Sequence, residues 1–304
     1  MRKRKTAIAA GVLAAGMGTA FAARSEYERD CLSAEEISVV SSKIQNPRRM
    51  VFLSDLHNKE FGPENQRLIH AVNQIKPDGV LIGGDMMVSK GESRTEVPLK
   101  LMKKLASHYP IYYSNGNHEN RMVWERHIYK DQYEAYREQL KSMGVIYLEN
   151  ESCRFGDDMV ISGVDLDKNY YRKLFFEKPE PLPDHYLDHR LGKADASRFQ
   201  ILLIHSPMYW QECAAWGADL TLSGHFHGGT IRIPGLGGVM TPQYQFFLPW
   251  CAGTFEKGGK KMVVSRGLGT HSINIRINNK PQLIVLNLKP KERSDNTNVC
   301  LKLS

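Results

Sequence analysis

Side chains able to bind transition metals occur in five short clusters along the chain. Asp55 and His57 are two residues apart on an extended segment, as are His225 and His227, and this spacing places both members of a pair on one side. Carboxylate oxygens together with imidazole nitrogens suit divalent or trivalent transition metals better than magnesium or calcium. The five clusters are Ser54-Asp55-Leu56-His57, Gly83-Gly84-Asp85, Asn115-Gly116-Asn117-His118-Glu119, His205-Ser206 and Ser223-Gly224-His225-Phe226-His227.

Three further residues in these clusters have the properties of metal ligands. Asp85 follows two glycines, which allow close backbone approach, and its two carboxylate oxygens can bridge two metals. Asn117 offers a neutral carbonyl oxygen, and His205 stands where an apolar run stops. Each fragment alone has an ordinary explanation, since a single His-x-His is usually incidental and Gly116-Asn117 is typical of a turn. Five fragments in order, each at the end of an apolar run, favour a shared metal site.

The elements that must position these clusters follow an alternating pattern. Short apolar runs alternate with stretches of helical spacing, which predicts a parallel sheet with right-handed crossovers. The predicted elements are strands at Met50–Ser54, Gly79–Gly83 and Ile111–Ser114 and helices at Pro63–Lys76 and Pro98–His108. In open α/β sheets, ligands bind outside the carboxyl ends of the strands, so we expect the clusters to converge on one edge.

The second half of the chain continues with further strands and helices. Residues 120–143 predict a long helical stretch, and the polar residues 166–198 predict an insertion or lid. The other predicted elements are strands at Val145–Leu148, Met159–Val164, Phe199–Ile204 and Asp219–Ser223, a helix at Pro207–Trp216, and short antiparallel strands from Ile231 to Gln282–Leu288. The insertion contains Lys168, Tyr170, Tyr171, Arg172 and Lys173. For these residues a solvated surface loop is favoured over a substrate-facing rim.

The first 23 residues have the layout of a secretory signal. The basic run Arg2–Lys5 precedes an apolar stretch, and Ala20-Phe21-Ala22 offers small residues at the spacing of a cleavage site. We expect export, with cleavage after Ala22 favoured over retention as an outward-facing membrane anchor. The predicted organisation continues with a lead-in segment at 24–47, a main domain at 48–290 and a polar tail at 291–304.

Composition and charge exclude several classes of protein. The 304 residues are 41% hydrophobic and 24% charged, which is ordinary for a globular protein and excludes disorder. The net charge is +8, but four of the 41 basic residues lie in the N-terminal run. The remaining 37 basic residues only slightly outnumber the 33 acidic residues. This mild excess predicts no specific nucleic-acid binding. The five cysteines are widely spread without a CxxC pair, so neither a cysteine zinc site nor a disulfide is predicted.

The order of the motifs DLH, GGD, GNHE, IH and GHFH resembles that of the calcineurin-like metallophosphoesterase superfamily over residues 50–288. The stretch Val264–Gly269, followed by Ile275-Arg276-Ile277, resembles the exported bacterial branch of single-domain phosphodiesterases. The resemblance implies an α/β fold, a four-layer sandwich of two mixed β-sheets flanked by helices. It also implies a dinuclear metal site at the carboxyl-terminal edge of the strands.

The resemblance further implies a role for each matching residue. Seven residues are implied as ligands: Asp55, His57 and His227 for the first metal, Asn117, His205 and His225 for the second, and Asp85 as the bridge between them. His118 would be the catalytic residue, and Glu119 would orient it in the way that carboxylates orient histidines around metals. The chain departs from the family at Val88, where many members carry an acid or an asparagine that supports the neighbouring loop.

The implied activity is hydrolysis of phosphodiesters or phosphomonoesters. Two metal ions, drawn from Mn, Fe, Zn and Co, would neutralise the anionic substrate and activate a hydroxide for attack on phosphorus, with His118 as the catalytic acid. The expected partners are a phosphate-ester substrate, with an envelope lipid or polymer included, and the membrane through the N-terminus, for a monomeric protein. The alternative is a non-catalytic scaffold protein, which the full set of ligands disfavours. The HExxH pattern of a metalloprotease is absent.

Overall fold

Two six-stranded sheets form the framework of the structure, a computed structural model that describes residues 2–171, 180–242, 244–270 and 273–292. The strands are β1 Ser33–Ser41, β2 Arg48–Leu53, β3 Gly79–Ile82, β4 Ser89–Lys90, β5 Glu92–Ser93, β6 Ile111–Tyr113, β7 Ile146–Tyr147, β8 Glu151–Phe155, β9 Met159–Val164, β10 Phe199–Ile204, β11 Leu220–Ser223, β12 Arg232–Ile233, β13 Gly237–Gly238, β14 Gly253–Lys257, β15 Lys260–Val264 and β16 Gln282–Pro290. The α-helices are α1 Arg2–Asp30, α2 Gln66–Ile75, α3 Glu96–Ala106, α4 Asn117–Trp124, α5 Arg126–Tyr129, α6 Gln132–Ser142, α7 Tyr186–Leu191 and α8 Trp210–Trp216. Short 3-10 helices lie at Pro63–Asn65, Lys168–Tyr171 and Pro207–Tyr209.

Both large sheets have a parallel centre. The first has the order β1-β16-β2-β3-β6-β7, in which β2, β3, β6 and β7 run parallel and β16 runs antiparallel to β2. The second has the order β14-β15-β11-β10-β9-β8, with antiparallel strands at both edges. Because the central strands run in one direction, their carboxyl ends lie along one edge of each sheet, where the polar clusters follow them.

Alternation along the strands builds the layers of the fold. Phe52 of the first sheet and Ile201 of the second lie in one core between the sheets. Val51, the neighbour of Phe52, faces the opposite way into a core shared with α2, α3 and α6. Leu202, the neighbour of Ile201, lies in a core with α7 and α8. Successive side chains of a strand therefore point to opposite faces of its sheet, and the layers follow in the order helix, sheet, sheet, helix. This arrangement confirms the predicted fold class.

Most predicted elements are present within two or three residues of their predicted bounds, but the structure corrects two of them. The long helical stretch at 120–143 is divided into α4, α5 and α6, and Lys130 between the last two has a φ of 51°. The expectation of an antiparallel C-terminal region is wrong for β15, which pairs parallel with β11, and for one side of β16, which pairs parallel with β1. A strand can be antiparallel on one side only, which the sequence pattern does not reveal.

The lead-in segment contributes to the body of the protein. The C-terminal end of α1 is docked, since Ser25 Oγ accepts the N–H of Arg276 at 3.0 Å and Glu28 Oε2 accepts the N–H of Asn279 at 2.9 Å. The following strand, β1, was not predicted and forms one edge of the first sheet. In the described part of the chain, no helix has the length and apolar character needed to cross a membrane.

Candidate metal centre

The predicted clusters meet at the carboxyl-terminal edge of the two sheets, after β2, β3, β6, β10 and β11. All seven predicted ligands are buried, with at most 7% of any of them exposed. Five of them have a positive φ between 48° and 72°: Asp55, His57, Asp85, His225 and His227. Residues other than glycine rarely adopt this left-handed conformation, so the prediction that Asp55 and His57, and likewise His225 and His227, lie on extended segments is wrong. Backbone strain of this kind concentrates at functional sites.

Asp55, His57 and His227 form a first group, in which the ligand atoms lie within 4.8 Å of one another. The Nε2 atoms of His57 and His227 are 3.1 Å apart, and Asp55 Oδ1 lies 3.3 Å from His227 Nε2. Two ligands bound tetrahedrally at about 2.0–2.1 Å from one cation are about 3.3 Å apart. The spacing of the first group therefore fits a single shared cation.

Asp85, His205 and His225 form a second group of the same compactness. Asp85 Oδ2 lies 3.1 Å from His205 Nε2 and 3.7 Å from Nε2 of His57, which belongs to the first group. One carboxylate oxygen thus faces both groups. Asp85 therefore occupies the position that a ligand bridging the two groups requires, as predicted.

Hydrogen bonds on the outer side of two imidazoles determine which nitrogen faces the centre. Nδ1 of His205 donates to the carbonyl of Gly83 at 2.7 Å, and Nδ1 of His227 donates to that of Gly269 at 3.1 Å. Because a carbonyl only accepts, each Nε2 keeps its lone pair for a cation. Among the residues that the structure describes, Oδ1 of buried Asn117 has no hydrogen-bond partner. A buried acceptor of this kind fits a metal ligand, so the residues present fit the implied metal ions.

The carboxylates give this centre a negative field. Burial opposes the imidazolium of His205, but the carboxylates of Asp85 and Asp55 outweigh it and raise the pKa of His205 to about 10. Burial raises the pKa of Asp55 to about 6. Asp85 is also buried, but His205 and His118 hold its pKa well below its usual range. The carboxylates of Asp55 and Asp85 thus stabilise a positive charge at this site. A metal cation can supply that charge in place of the proton on His205.

His118 lies beside the predicted ligands in a defined orientation. Its backbone N–H donates to Asp85 Oδ1 at 2.7 Å, and its ring Nδ1 accepts the N–H of Ser89 at 2.9 Å. A backbone amide only donates, so the neutral ring carries its proton on Nε2. His118 also forms a third compact group with His57 and Asp85. It is therefore close enough to the metal centre to act either as a ligand or as a catalytic residue.

Glu119 supports the loop of Asp85, a role that the sequence did not predict. Its Oε2 accepts the N–H groups of Asp85 at 2.8 Å and Gly116 at 3.0 Å, and its Oε1 accepts that of Met86 at 2.9 Å. Glu119 is the third residue of α4, a position from which a carboxylate reaches backbone amides at the start of the helix. The loop therefore keeps its support although the family's polar residue is replaced by Val88.

A buried arginine holds the loop behind His227, and the sequence did not reveal this role. Arg276 is 1% exposed, and its guanidinium donates to the carbonyls of Asn279 at 3.0 Å, Arg266 at 2.9 Å, Gly267 at 3.2 Å and Gly269 at 2.7 Å. The same Gly269 carbonyl accepts from His227. The only signal was a charged residue between two isoleucines in Ile275-Arg276-Ile277.

The predicted insertion begins against the second group. The ring of Tyr171 lies 5.2 Å from that of His225 and 6.2 Å from that of His205, measured between centroids. Tyr170 packs between the rings of Tyr186 and Tyr209. These contacts favour a rim of the site over a solvated loop for this part of the insertion. Lys168 lies at the exposed surface beside Glu125, and Arg172 and Lys173 lie outside the described residues.

The two-sheet sandwich with aspartate, histidine and asparagine side chains converging on one strand edge defines a metallophosphoesterase. Residues 48–229 match the calcineurin-like phosphoesterase family, and the chain belongs to that family. Membership supports metal-dependent hydrolysis of phosphate esters as its activity.

Three relatives illustrate the family around this chain. It is 25% identical to the uncharacterized metallophosphoesterase YkuE of Bacillus subtilis (strain 168), over 93% of this chain and 94% of that one. It is 25% identical to the phosphodiesterase YaeI of Escherichia coli (strain K12), over 80% of this chain and 82% of that one. It is 30% identical to a transmembrane protein with metallophosphoesterase domain of Danio rerio, over 80% of this chain and 54% of that one.

Proposed function

We propose that this protein is a phosphodiesterase that binds two transition metal ions between its sheets. The observation that carries the proposal is the position of Asp85 Oδ2, which faces His57 of one ligand group and His205 of the other. A pair of bound cations would neutralise the phosphate anion and lower the pKa of a water molecule. The similarity to a phosphodiesterase of Escherichia coli supports a diester as the substrate.

We assign to His118 the role of the catalytic acid, which donates a proton to the leaving oxygen of the substrate. With Ser89 donating to Nδ1, the proton of the neutral ring is on Nε2, the nitrogen that can donate to an oxygen of the substrate. A fixed donor of this kind stabilises charge that develops on a leaving group without reorganisation during the reaction. Asp85 contributes by holding the backbone N–H of His118.

Hydrolysis of bis-p-nitrophenyl phosphate with Mn, Fe, Zn or Co added separately tests this function. We expect turnover with at least one metal and faster turnover of the diester than of p-nitrophenyl phosphate. A faster monoester reaction would make the protein a phosphatase. If neither ester is hydrolysed with any of the four metals, the scaffold alternative replaces the enzymatic function.

We also propose that the protein acts outside the cytoplasmic membrane. The basic run Arg2–Lys5 and the small residues Ala20-Phe21-Ala22 support export with cleavage after Ala22. The docked residues Ser25 and Glu28 follow that position, so cleavage would leave their contacts in place. N-terminal sequencing of the exported protein is expected to begin at Ala23, whereas recovery of the intact chain from the cytosol would contradict export.

A further inference from the structure

Four large apolar side chains are exposed in the segment that follows His227. They are Ile233, Leu236, Phe246 and Phe247, with 40%, 67%, 53% and 55% of their surface exposed. Hydrogen bonds join them into one unit, because β12 pairs with β13 and the N–H of Phe247 donates to the carbonyl of Val239 at 3.0 Å. Leu236 lies in the turn between β12 and β13. We call these four residues the apolar platform.

The apolar platform is attached directly to the metal centre. Arg232 of β12 donates to the carbonyl of Gly228 at 3.0 Å, one residue after His227. Thr230 Oγ1 donates to the carbonyl of Met240 at 3.2 Å. Pro242, in the same unit, lines one small cavity together with His227. A surface against which the platform rests would therefore lie beside the predicted metal ligands.

The charge around the platform is positive. No acidic residue occurs between Asp219 and Glu256, and Arg232 is the one charged residue of that segment. Asn278 donates to the carbonyl of Arg232 at 3.3 Å and lines a neighbouring cavity with Arg24, Arg266 and Lys280.

The nearby carboxylates are already paired with arginines. Glu28 lies 2.6 Å from Arg24, and Glu35 lies 3.1 Å from Arg266. These pairs are close to neutral, so Arg232 and Lys280 supply the excess of positive charge. An apolar patch with a basic margin complements an anionic lipid surface.

The N-terminal helix α1 meets the rest of the protein beside this basic margin of the platform. Arg24 of α1 lines the cavity described above, and the next residue, Ser25, contacts Arg276. The apolar residues Val12, Leu13 and Met17 of α1 precede Ala22, so the proposed cleavage would remove them and leave Arg24 and Ser25 in place. The apolar platform with its basic margin is therefore the surface of the cleaved protein that would contact a lipid bilayer.

We propose that the apolar platform docks the protein on an anionic phospholipid bilayer, with Arg232 and Lys280 against the head groups. Docking would bring the metal centre to the lipid surface. The substrate class that fits is then a phosphodiester carried by a lipid of that bilayer. This last step rests on the proposed phosphodiesterase function, whereas the docking itself does not.

Cosedimentation with vesicles tests the docking. The probe is a vesicle of equal parts phosphatidylcholine and phosphatidylglycerol, and the protein is the full chain. The test variant combines Leu236→Ser, Phe246→Ser and Phe247→Ser. The matched control removes three exposed apolar side chains elsewhere, by Val40→Ser, Ile128→Ser and Ile146→Ser. We expect the dissociation constant to rise about tenfold or more in the test variant and to stay within about twofold in the control.

Three further measurements decide the outcome. Thermal unfolding shows whether the triple variant is folded, and single Leu236→Ser replaces it if it is not. His118→Gln, which we expect to turn over much more slowly, should bind vesicles as the parent does, so that failure of docking and failure of hydrolysis are distinguished. Unchanged binding by a folded platform variant would overturn the proposal, and so would equal binding of the parent to vesicles of phosphatidylcholine alone.

Discussion

Oδ2 of Asp85 lies 3.1 Å from Nε2 of His205 across the gap between the two sheets. Asp85 follows β3 of the first sheet, and His205 follows β10 of the second. The same oxygen lies 3.7 Å from His57, so one side chain links both ligand groups. Loss of this carboxylate should therefore affect both metal positions together.

Asp85→Ala is expected to lose both metals and all hydrolysis above background, because a single carboxylate serves both ions. Metal analysis of the purified variant, set beside its rate with bis-p-nitrophenyl phosphate, measures the two losses. Circular dichroism checks that the variant is folded. Two full equivalents of metal in the variant would show that Asp85 is not a bridge.

His118→Gln should keep its metals and turn over more slowly by about 10²–10⁴-fold, the usual contribution of a positioned proton donor. Metal content and kcat are measured on the same preparation. The result also separates the two positions that the structure allows for His118, since it lies in a compact group with His57 and Asp85. A variant that has lost metal would identify His118 as a ligand.

Arg276→Met should weaken one of two metal-binding steps by about 10–100-fold, because the Gly269 carbonyl that orients His227 loses its support. The other step, at His205 and His225, should change much less. Isothermal titration of the metal-free protein with Mn measures both steps, and Arg276→Lys should restore part of the loss.

Arg154→Met is the matched control for this change, because Arg154 is an exposed arginine on an edge strand. Its titration should equal that of the parent. Equal weakening of both steps in Arg276→Met would indicate a general loss of structure, and the positioning role would then be rejected.

Asp219 should stabilise the protein in a pH-dependent way. Burial opposes its charge, but Lys260 and Lys43, each 2.8 Å away, and the N–H of Gln200 outweigh burial and lower the pKa of Asp219. A lowered pKa in the folded state means that the stabilisation is present above the ordinary aspartate pKa of about 3.9 and is lost as pH falls below it. Asp219→Asn should therefore lower the free energy of unfolding by about 2 kcal/mol at neutral pH.

Urea unfolding of Asp219→Asn and of the parent protein across the acid range measures this difference in the free energy of unfolding. The difference should shrink as the pH falls below the ordinary pKa of an aspartate side chain. Asp157→Asn serves as the control, since Asp157 is exposed. A difference that stays constant from neutral to acidic pH would show that the charge of Asp219 is not the cause.

The sequence predicted the inner strands better than the edges. Met159–Val164 and Phe199–Ile204 have the predicted bounds, because each is mostly apolar and buried on both faces. The edge strands β1 and β8 were missed, since Ser33–Ser41 and Glu151–Phe155 carry polar side chains on an exposed face. Their pairing depends on partners that are distant in the chain, which local spacing does not encode.

The sequence also placed the predicted ligands more readily than their supports. Each ligand stands at the end of an apolar run, so its position followed from strand order. Ser89 and Arg276 act through a backbone amide and backbone carbonyls, and such bonds have no residue signature. Glu119 was found from its motif, but its partners depend on how α4 meets the loop of Asp85.

The position of β16 has a consequence for the order in which the chain folds. This strand, the last one in the part of the chain that the structure describes, lies between β1 and β2, so Ser33 contacts Pro281, 248 residues farther along the chain. Until β16 has been synthesised, β1 has no neighbour in its sheet and β2 lacks one of its two. Contacts between such distant residues form slowly. The first sheet is therefore complete only when the chain has been made as far as Pro290, and a chain that ends before Gln282 would leave β1 without a partner strand.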